Sequence, residues 1–397
     1  MYYLQRFFTI LLLISLSSCV QNIEQTPSKY PLEFNIAINN LANDLLIQTK
    51  NNQNTPQLTN KSIALDPFAD ANSGEIVEVS RQIEQIIFDK AKNLNVPIAR
   101  ITPQNLRESQ YIMSGIIDFT DYSVGNTTDK TEKYYKVSAS VIDLQTGKII
   151  ADSTSWILNL DLDHTPTAFY QDSPIYMKDS RIESLINTAR KGVGELANET
   201  YYDSIDIQAL LVKAETDYEN ENYDQALKLF KQAAEHPDGN NLMRTYAGLY
   251  EANLKLDKPE AAENAFSQLL AASVQENKNL NIKFLFQVNS TEFIDDPKLK
   301  VDYALWLKMI AKYFNDNDQC FHIVGHSSKT GNSAYNKKLS LKRAKSFQSK
   351  LQIINIQIRS KAVGKGFVNN VVGSGTDDVR DAVDRRVEIM IVNCSMI

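Results

Sequence analysis

Apolar residues recur at helical spacing through 32–50 (LEFNIAINNLANDLLIQTK), a period that predicts an amphipathic helix. Ser62-Ile63-Ala64-Leu65 is a short strand candidate, and a second helical stretch near 74–94 carries Ile83, Ile86 and Ile87 on one side. The runs from Val96 to Ile101 and from Tyr111 to Ile117 read as strands. The clearest alternation lies between Tyr134 and Ile157, where YYKVSASVIDL and KIIADSTSWIL flank Gln145-Thr146-Gly147. Spacing and turn chemistry make this a hairpin. A helix over 180–199 closes the unit. This mixture predicts an α/β domain with a mixed, partly antiparallel sheet over 31–203. In it Asp143 is expected to cap its own turn, and His164 to face solvent as an isolated loop residue.

Between 204 and 275 the period is helical throughout. Ala226-x-x-x-Phe230 recurs as Ala262-x-x-x-Phe266, with Ala214, Tyr218, Tyr223, Ala233 and Pro237 around the first copy. These positions resemble the tetratricopeptide repeat, whose small residues let paired helices approach while the aromatic fills the gap. A generic pair of helical hairpins is the plainer alternative. Stable arrays usually need about three repeats, so two would lean on a neighbouring domain or partner. The resemblance implies a protein-interaction role for this segment.

From 281 to 397 the order is strand (282–288), helix (299–313), strand (321–324), helix (333–351) and two further strands, the last at 386–392. The whole chain is therefore expected to be a multidomain α/β protein: a mixed-sheet domain, a short helical hairpin segment and a C-terminal βαβαββ domain.

Composition narrows the function. The chain has 397 residues, 43% hydrophobic and 23% charged, which fits two to three folded domains. A net charge of −6 argues against nucleic acid as a partner, because phosphates demand a broad basic surface. Three cysteines (Cys19, Cys320 and Cys394) are too few and too scattered for a zinc site or a disulfide framework. Spacing leaves open whether Cys320 and Cys394 pair.

The leader addresses the compartment. Arg6 precedes an apolar run from Phe7 to Leu16, too short to span a hydrocarbon core and suited to a cleaved signal peptide over 1–18. Leu16-Ser17-Ser18-Cys19 resembles the bacterial lipobox, which implies lipidation at Cys19 and stable anchoring by several acyl chains. Val20, where an aspartate would resemble the inner-membrane retention signal, points to the outer membrane. Residues 19–30 then form a tether. The hairpin phrase from Val141 to Ile150 resembles that of periplasmic lipoproteins of curli secretion, the flagellum and penicillin-binding-protein activation.

Near the C-terminus the chain reads GHSSKTGNSAYNKKLSLKRAKSF and, later, VDRRVEIMIV. Both segments, in this order and spacing, resemble the OmpA C-terminal family. The resemblance implies non-covalent binding of peptidoglycan through the diaminopimelate of its stem peptide. It assigns Arg343 to the ligand carboxylate, as a bidentate, charge-assisted contact. Ser328 to Gly331 become the loop leading into the second helix, whose N–H groups favour an anion. Asn336 matches the family asparagine, Ser340 stays near the site, and Asn289 and Arg386 complete the set, with bracing of Asp384 or a neighbouring carboxylate the equal alternative for one of Arg385 and Arg386. Ser328 stands where the family has the aspartate that takes the ammonium, and losing that charge could cost about 1.5–3 kcal/mol. Asp377 or Asp378 is the candidate replacement. No acid, base and nucleophile converge, so neither an enzyme nor a cofactor or metal is expected. The expected function is an outer-membrane lipoprotein that grips peptidoglycan and scaffolds partners. The alternative is a regulator or assembly factor for a cell-wall synthase, secretion or flagellar complex, which wall binding merely positions.

Overall fold

The computed structural model describes residues 30–51, 62–122, 132–373, 375 and 379–397. The signal peptide, Cys19, almost all of the tether, Asp377 and Asp378 lie outside the described residues.

The N-terminal domain runs α1 (Phe34–Asn51), β1 (Ser62–Leu65), β2 (Ala69–Asp70), α2 (Glu78–Asn93), β3 (Ile98–Arg100), α3 (Pro103–Glu108), β4 (Ser109–Tyr122), β5 (Glu132–Asp143), β6 (Ile149–Ile157), α4 (Ala168–Asp172), α5 (Ser180–Thr188) and α6 (Glu199–Asp203). Its sheet has the order β3-β1-β4-β5-β6, with β2 also on β4. The β1 pairings are parallel, while β4, β5 and β6 form an antiparallel meander. Both faces are buried, and strand periodicity sorts the side chains between them. Met113 and Ile117 join the core under α1 and α2, whereas Ile112 and Ile116 face the core shared with the rest of the chain. The Asp143 carboxylate accepts from the N–H groups of Gln145 and Thr146, as turn chemistry requires.

Two local expectations are corrected. The helix expected over 180–199 stops at Thr188. Gly194 has φ +93°, and the segment around it bonds to the hairpin instead, with Ile149 N–H donating to Glu195 and Gly194 N–H to Ile149. His164 is not a solvated loop residue: its ring stacks on Tyr135 at 4.6 Å, with Nδ1 3.8 Å from Asp70.

The middle comprises α7 (Ile205–Glu219), α8 (Tyr223–Glu235), α9 (Met243–Lys255) and α10 (Pro259–Asn277), where α7 packs on α8, α8 on α9 and α9 on α10. Phe230 and Phe266 are fully buried, and Phe230 lies so close to Gly248 that any β-carbon there would strike its ring. This segment has no separate core. Its apolar residues merge with one face of the N-terminal sheet and with the C-terminal domain in a single cluster.

The C-terminal domain contains β7 (Asn279–Leu280), α11 (Pro297–Asp316), β8 (Cys320–His326), α12 (Ser333–Ile354), β9 (Ser360–Gly366) and β10 (Val387–Val392), a β-α-β-α-β-β order. Its sheet runs β7-β10-β8-β9, with only β8 and β9 parallel. The first strand is shorter and earlier than expected. Beyond Leu280 the backbone leaves the sheet, because Ile282 bridges to Ile175 and Tyr176 N–H donates to Asn281. Among the described residues no helix is long and apolar enough to cross a membrane.

Cys320 opens β8 and Cys394 follows β10, and the two are bonded, with their Cα atoms 5.1 Å apart. The pairing Cys320↔Val392 in the β8/β10 ladder brings them together. The bridge closes a loop across 74 residues. Chain entropy then predicts that Cys320→Ser destabilises the C-terminal domain by about 2–4 kcal/mol. Denaturant melts of wild type and variant under oxidising conditions measure this; coincident midpoints would contradict it.

Candidate functional site

Two loops and the first half of α12 build the site. Gly325 and Gly364 let α12 lie directly on the sheet. A β-carbon at Gly325 would stand 1.9 Å from the Ser340 carbonyl oxygen, and one at Gly364 2.6 Å from the Leu341 nitrogen. This approach places Arg343, in the third turn of α12, beneath both loops at 1% exposure. Its guanidinium donates to the backbone carbonyls of Ser290 (2.9 Å), Gln287 (3.0 Å) and His326 (3.1 Å). It is therefore a buried clamp joining the 287–290 turn to the end of β8, and not a solvated helix residue.

The other expected residues gather around the clamp. Asn289 sits in the left-handed region at φ +55°, and its carboxamide oxygen accepts from Tyr335 Oη. Asn336 donates to the carbonyls of Thr330 (2.6 Å) and Asn332 (3.2 Å), holding the loop through Gly331, itself at φ +79°. Ser328 is buried, with its hydroxyl 3.4 Å from that of Thr330. Ser340 donates to the Lys337 carbonyl and accepts from Gly366 N–H at 2.8 Å, tying α12 to the end of β9.

Arg386 adjoins this group only through its carbonyl, which accepts from His326 N–H, and its side chain turns elsewhere. It pairs with Glu388 and reaches the carbonyls of Val383 and Asn369, so it braces the β10 side of the domain. The anion-binding character expected of the α12 N-terminus is also modified. Asn332 caps the helix, and its side chain takes the N–H groups of Ala334 (2.8 Å) and Tyr335 (3.3 Å). An asparagine just before the periodic run is a readable capping signal. Tyr335 carried no such signal. Asp384 was missed too: fully buried, its carboxylate accepts from the N–H groups of Val371, Val372 and Gly373.

A cavity of about 560 Å³ lies on another side of this domain, against the N-terminal domain, lined among others by Glu75, Asp172, Lys283, Lys298, Asp302 and Trp306. None of the residues expected at the site lines it.

The sequence model of the OmpA family matches residues 285–383, which include both loops and all of α12. The C-terminal domain is thus OmpA-like. Among solved structures, the peptidoglycan-associated lipoprotein of Burkholderia pseudomallei is 25% identical, covering 28% of this chain and 88% of its own, at a TM-score of 0.24. The periplasmic domain of Helicobacter pylori MotB is 16% identical over 28% of this chain and 71% of its own, at 0.23. The OmpA-like domain of FopA1 from Francisella tularensis is 16% identical over 29% and 77%, at 0.22. No curated protein matches the chain.

Electrostatics under the site yield a prediction. Burial alone would raise the Glu388 carboxyl, but the neighbouring His326 imidazole, 3.3 Å away, and the Arg386 guanidinium more than offset this and hold it at about 2, below its ordinary 4.5. A depressed carboxylate stabilises the fold above its unfolded-state value, and the contribution disappears as pH falls from about 4.5 towards 2. Glu388→Gln should remove about 2–3 kcal/mol of that acid-side dependence. Parallel melts across this pH range check it; identical slopes for both proteins would refute the assignment.

Proposed function

We propose that this chain is a lipid-anchored envelope protein that holds peptidoglycan non-covalently through its OmpA-like domain. The observation that carries the reading is the family match over 285–383, within which Arg343, Asn336 and Ser340 keep the family spacing and converge with Asn289 on one pair of loops. Arg343 meets a ligand carboxylate by exchanging one of its carbonyl acceptors for the anion, which makes a stronger, charge-assisted contact. Ser328 supplies a hydroxyl where an ammonium would prefer a carboxylate. The leader supports the anchor, with Cys19 as the acylated residue, and the outer membrane as its location. The helical segment is where a protein partner would dock.

Sedimentation of the chain with purified sacculi tests the wall contact. Arg343→Ala should lose pull-down, but it also strands buried carbonyls and destabilises the domain by about 2–4 kcal/mol. Arg343→Lys, which keeps the charge without the planar fork, should stay folded and weaken binding about tenfold. Ser328→Asp should keep or gain binding. Wild-type retention by Arg343→Lys would remove the proposed carboxylate contact, and a wild-type chain left in the supernatant would remove the function. Metabolic labelling with palmitate tests the anchor: incorporation should vanish in Cys19→Ser, and an unlabelled wild-type chain would exclude it.

A further inference from the structure

Between Asp318 and Asp377 the sequence contains no aspartate or glutamate, yet it carries ten lysines and arginines, in a chain whose net charge is −6. A surface built only for solubility intersperses both signs. The segment folds as β8, α12 and β9, which pack together. One of its cations, Arg343, is the buried clamp, while Lys350 and Arg359 reach Glu292 and Asp318. Lys329, Lys337, Lys338, Lys342, Lys345 and Lys365 are exposed and form no ion pair among the described residues.

Helix geometry organises these charges. The buried side of α12 is Asn336, Leu339, Ser340, Arg343, Ala344, Phe347 and Leu351. Lys338, Lys342 and Lys345 follow one another at four and three residues on the opposite side, a single stripe about 10 Å long. Like charges at this spacing repel one another. The stripe begins beside the site, for Lys337 and Lys338 directly follow Asn336, and Lys329 follows Ser328. At Gly366 the end of β9 approaches so closely that a β-carbon would stand 3.3 Å from the Lys337 nitrogen, next to Lys365.

We infer that this face is a second contact surface for the wall polymer, where the lysine stripe takes carboxylates of stem peptides neighbouring the one held over Arg343. This rests on the wall-binding reading above. Free carboxylates recur along such a polymer, so a stripe of point charges fits it without requiring one fixed geometry. Attraction of this kind works over about a Debye length and fades with salt.

The test uses the full chain and purified sacculi. Wild-type binding should weaken roughly tenfold between about 50 and about 300 mM salt. The triple variant Lys338→Glu, Lys342→Glu, Lys345→Glu should bind at least tenfold more weakly at low salt and lose the salt dependence. The corresponding triple arginine variant should bind as wild type does, which separates charge from any damage to the helix. Sacculi with amidated carboxylates should reduce wild-type binding to the level of the glutamate variant. Equal sedimentation of wild-type and glutamate variants overturns this inference and leaves the wall reading standing. Failure of the wild-type chain to sediment at low salt overturns both. Retention on phosphatidylglycerol vesicles that depends on the stripe, with sacculi indifferent to it, would assign the face to a membrane and overturn the inference as well.

Discussion

A guanidinium cannot sit in a protein interior without acceptors, and the C-terminal domain is arranged around that demand. Arg343 satisfies it with carbonyls from the 287–290 turn and from the end of β8, segments far apart in sequence. It can reach them because α12 lies nearly in contact with the sheet at Gly325 and Gly364. Glycine at those positions, burial of the arginine and the shape of both loops are therefore one constraint. The cation also lies 5.3 Å from the Phe286 ring centre, so an aromatic face shields what the carbonyls do not.

The same logic joins the N-terminal sheet to the helical segment. Asp66, on the N-terminal sheet side, accepts from Tyr201 and Gln208, Gln208 accepts from Arg244, and Arg244 donates to Glu215, which also accepts from Tyr170. Burial opposes the charge on Arg244, yet the Glu215 carboxylate overrides it and keeps the arginine ionised. Removing one member would leave a buried charge uncompensated, which is far costlier than never having built the pair. The C-terminal domain is fastened as well: Lys283 is paired with Glu75, and its backbone N–H donates to Pro174. Segments that repetition in sequence would treat as separable thus share one core and a common network of buried charges.

How much of this was legible followed from the range of each interaction. The β5–β6 hairpin, α1 and α12 are set by local period and turn chemistry, and they stand within a few residues of their expected limits. The strand expected at 282–288 was lost because its start pairs with residues 174–175, over 100 positions earlier, while Phe286 and Gln287 turn to Arg385 and Glu292, and no local pattern encodes the distant partners. The helix expected over 180–199 failed for a similar reason, since its second half bonds to the 147–149 turn. In the candidate site, which residues to look at, Asn289, Asn336 and Arg343 among them, was legible through the family resemblance alone. Their occupancy was not. Nothing along the chain announces that Arg343 would be spoken for by carbonyls, or that Asp384 would fill the N–H cradle of residues 371–373.

Those two occupancies bear on how the proposed function would meet an anion. The domain offers two backbone features that ordinarily hold negative charge, the helix N-terminus of α12 and the run of N–H groups at 371–373. Side chains of the protein itself already take N–H groups at both, Asn332 at the first and Asp384 at the second. Under the proposed function, recognition of a carboxylate would then fall to side-chain cations. Of these Arg343 is directional but engaged, while the lysines of the exposed α12 face are available but undirected. A site working this way would gain selectivity from the cost of releasing a carbonyl, and reach from charges that need no fixed partner. The serine at 328 keeps this stretch free of negative charge, so a carboxylate placed there would trade a little of the positive field for a direct partner to a ligand ammonium.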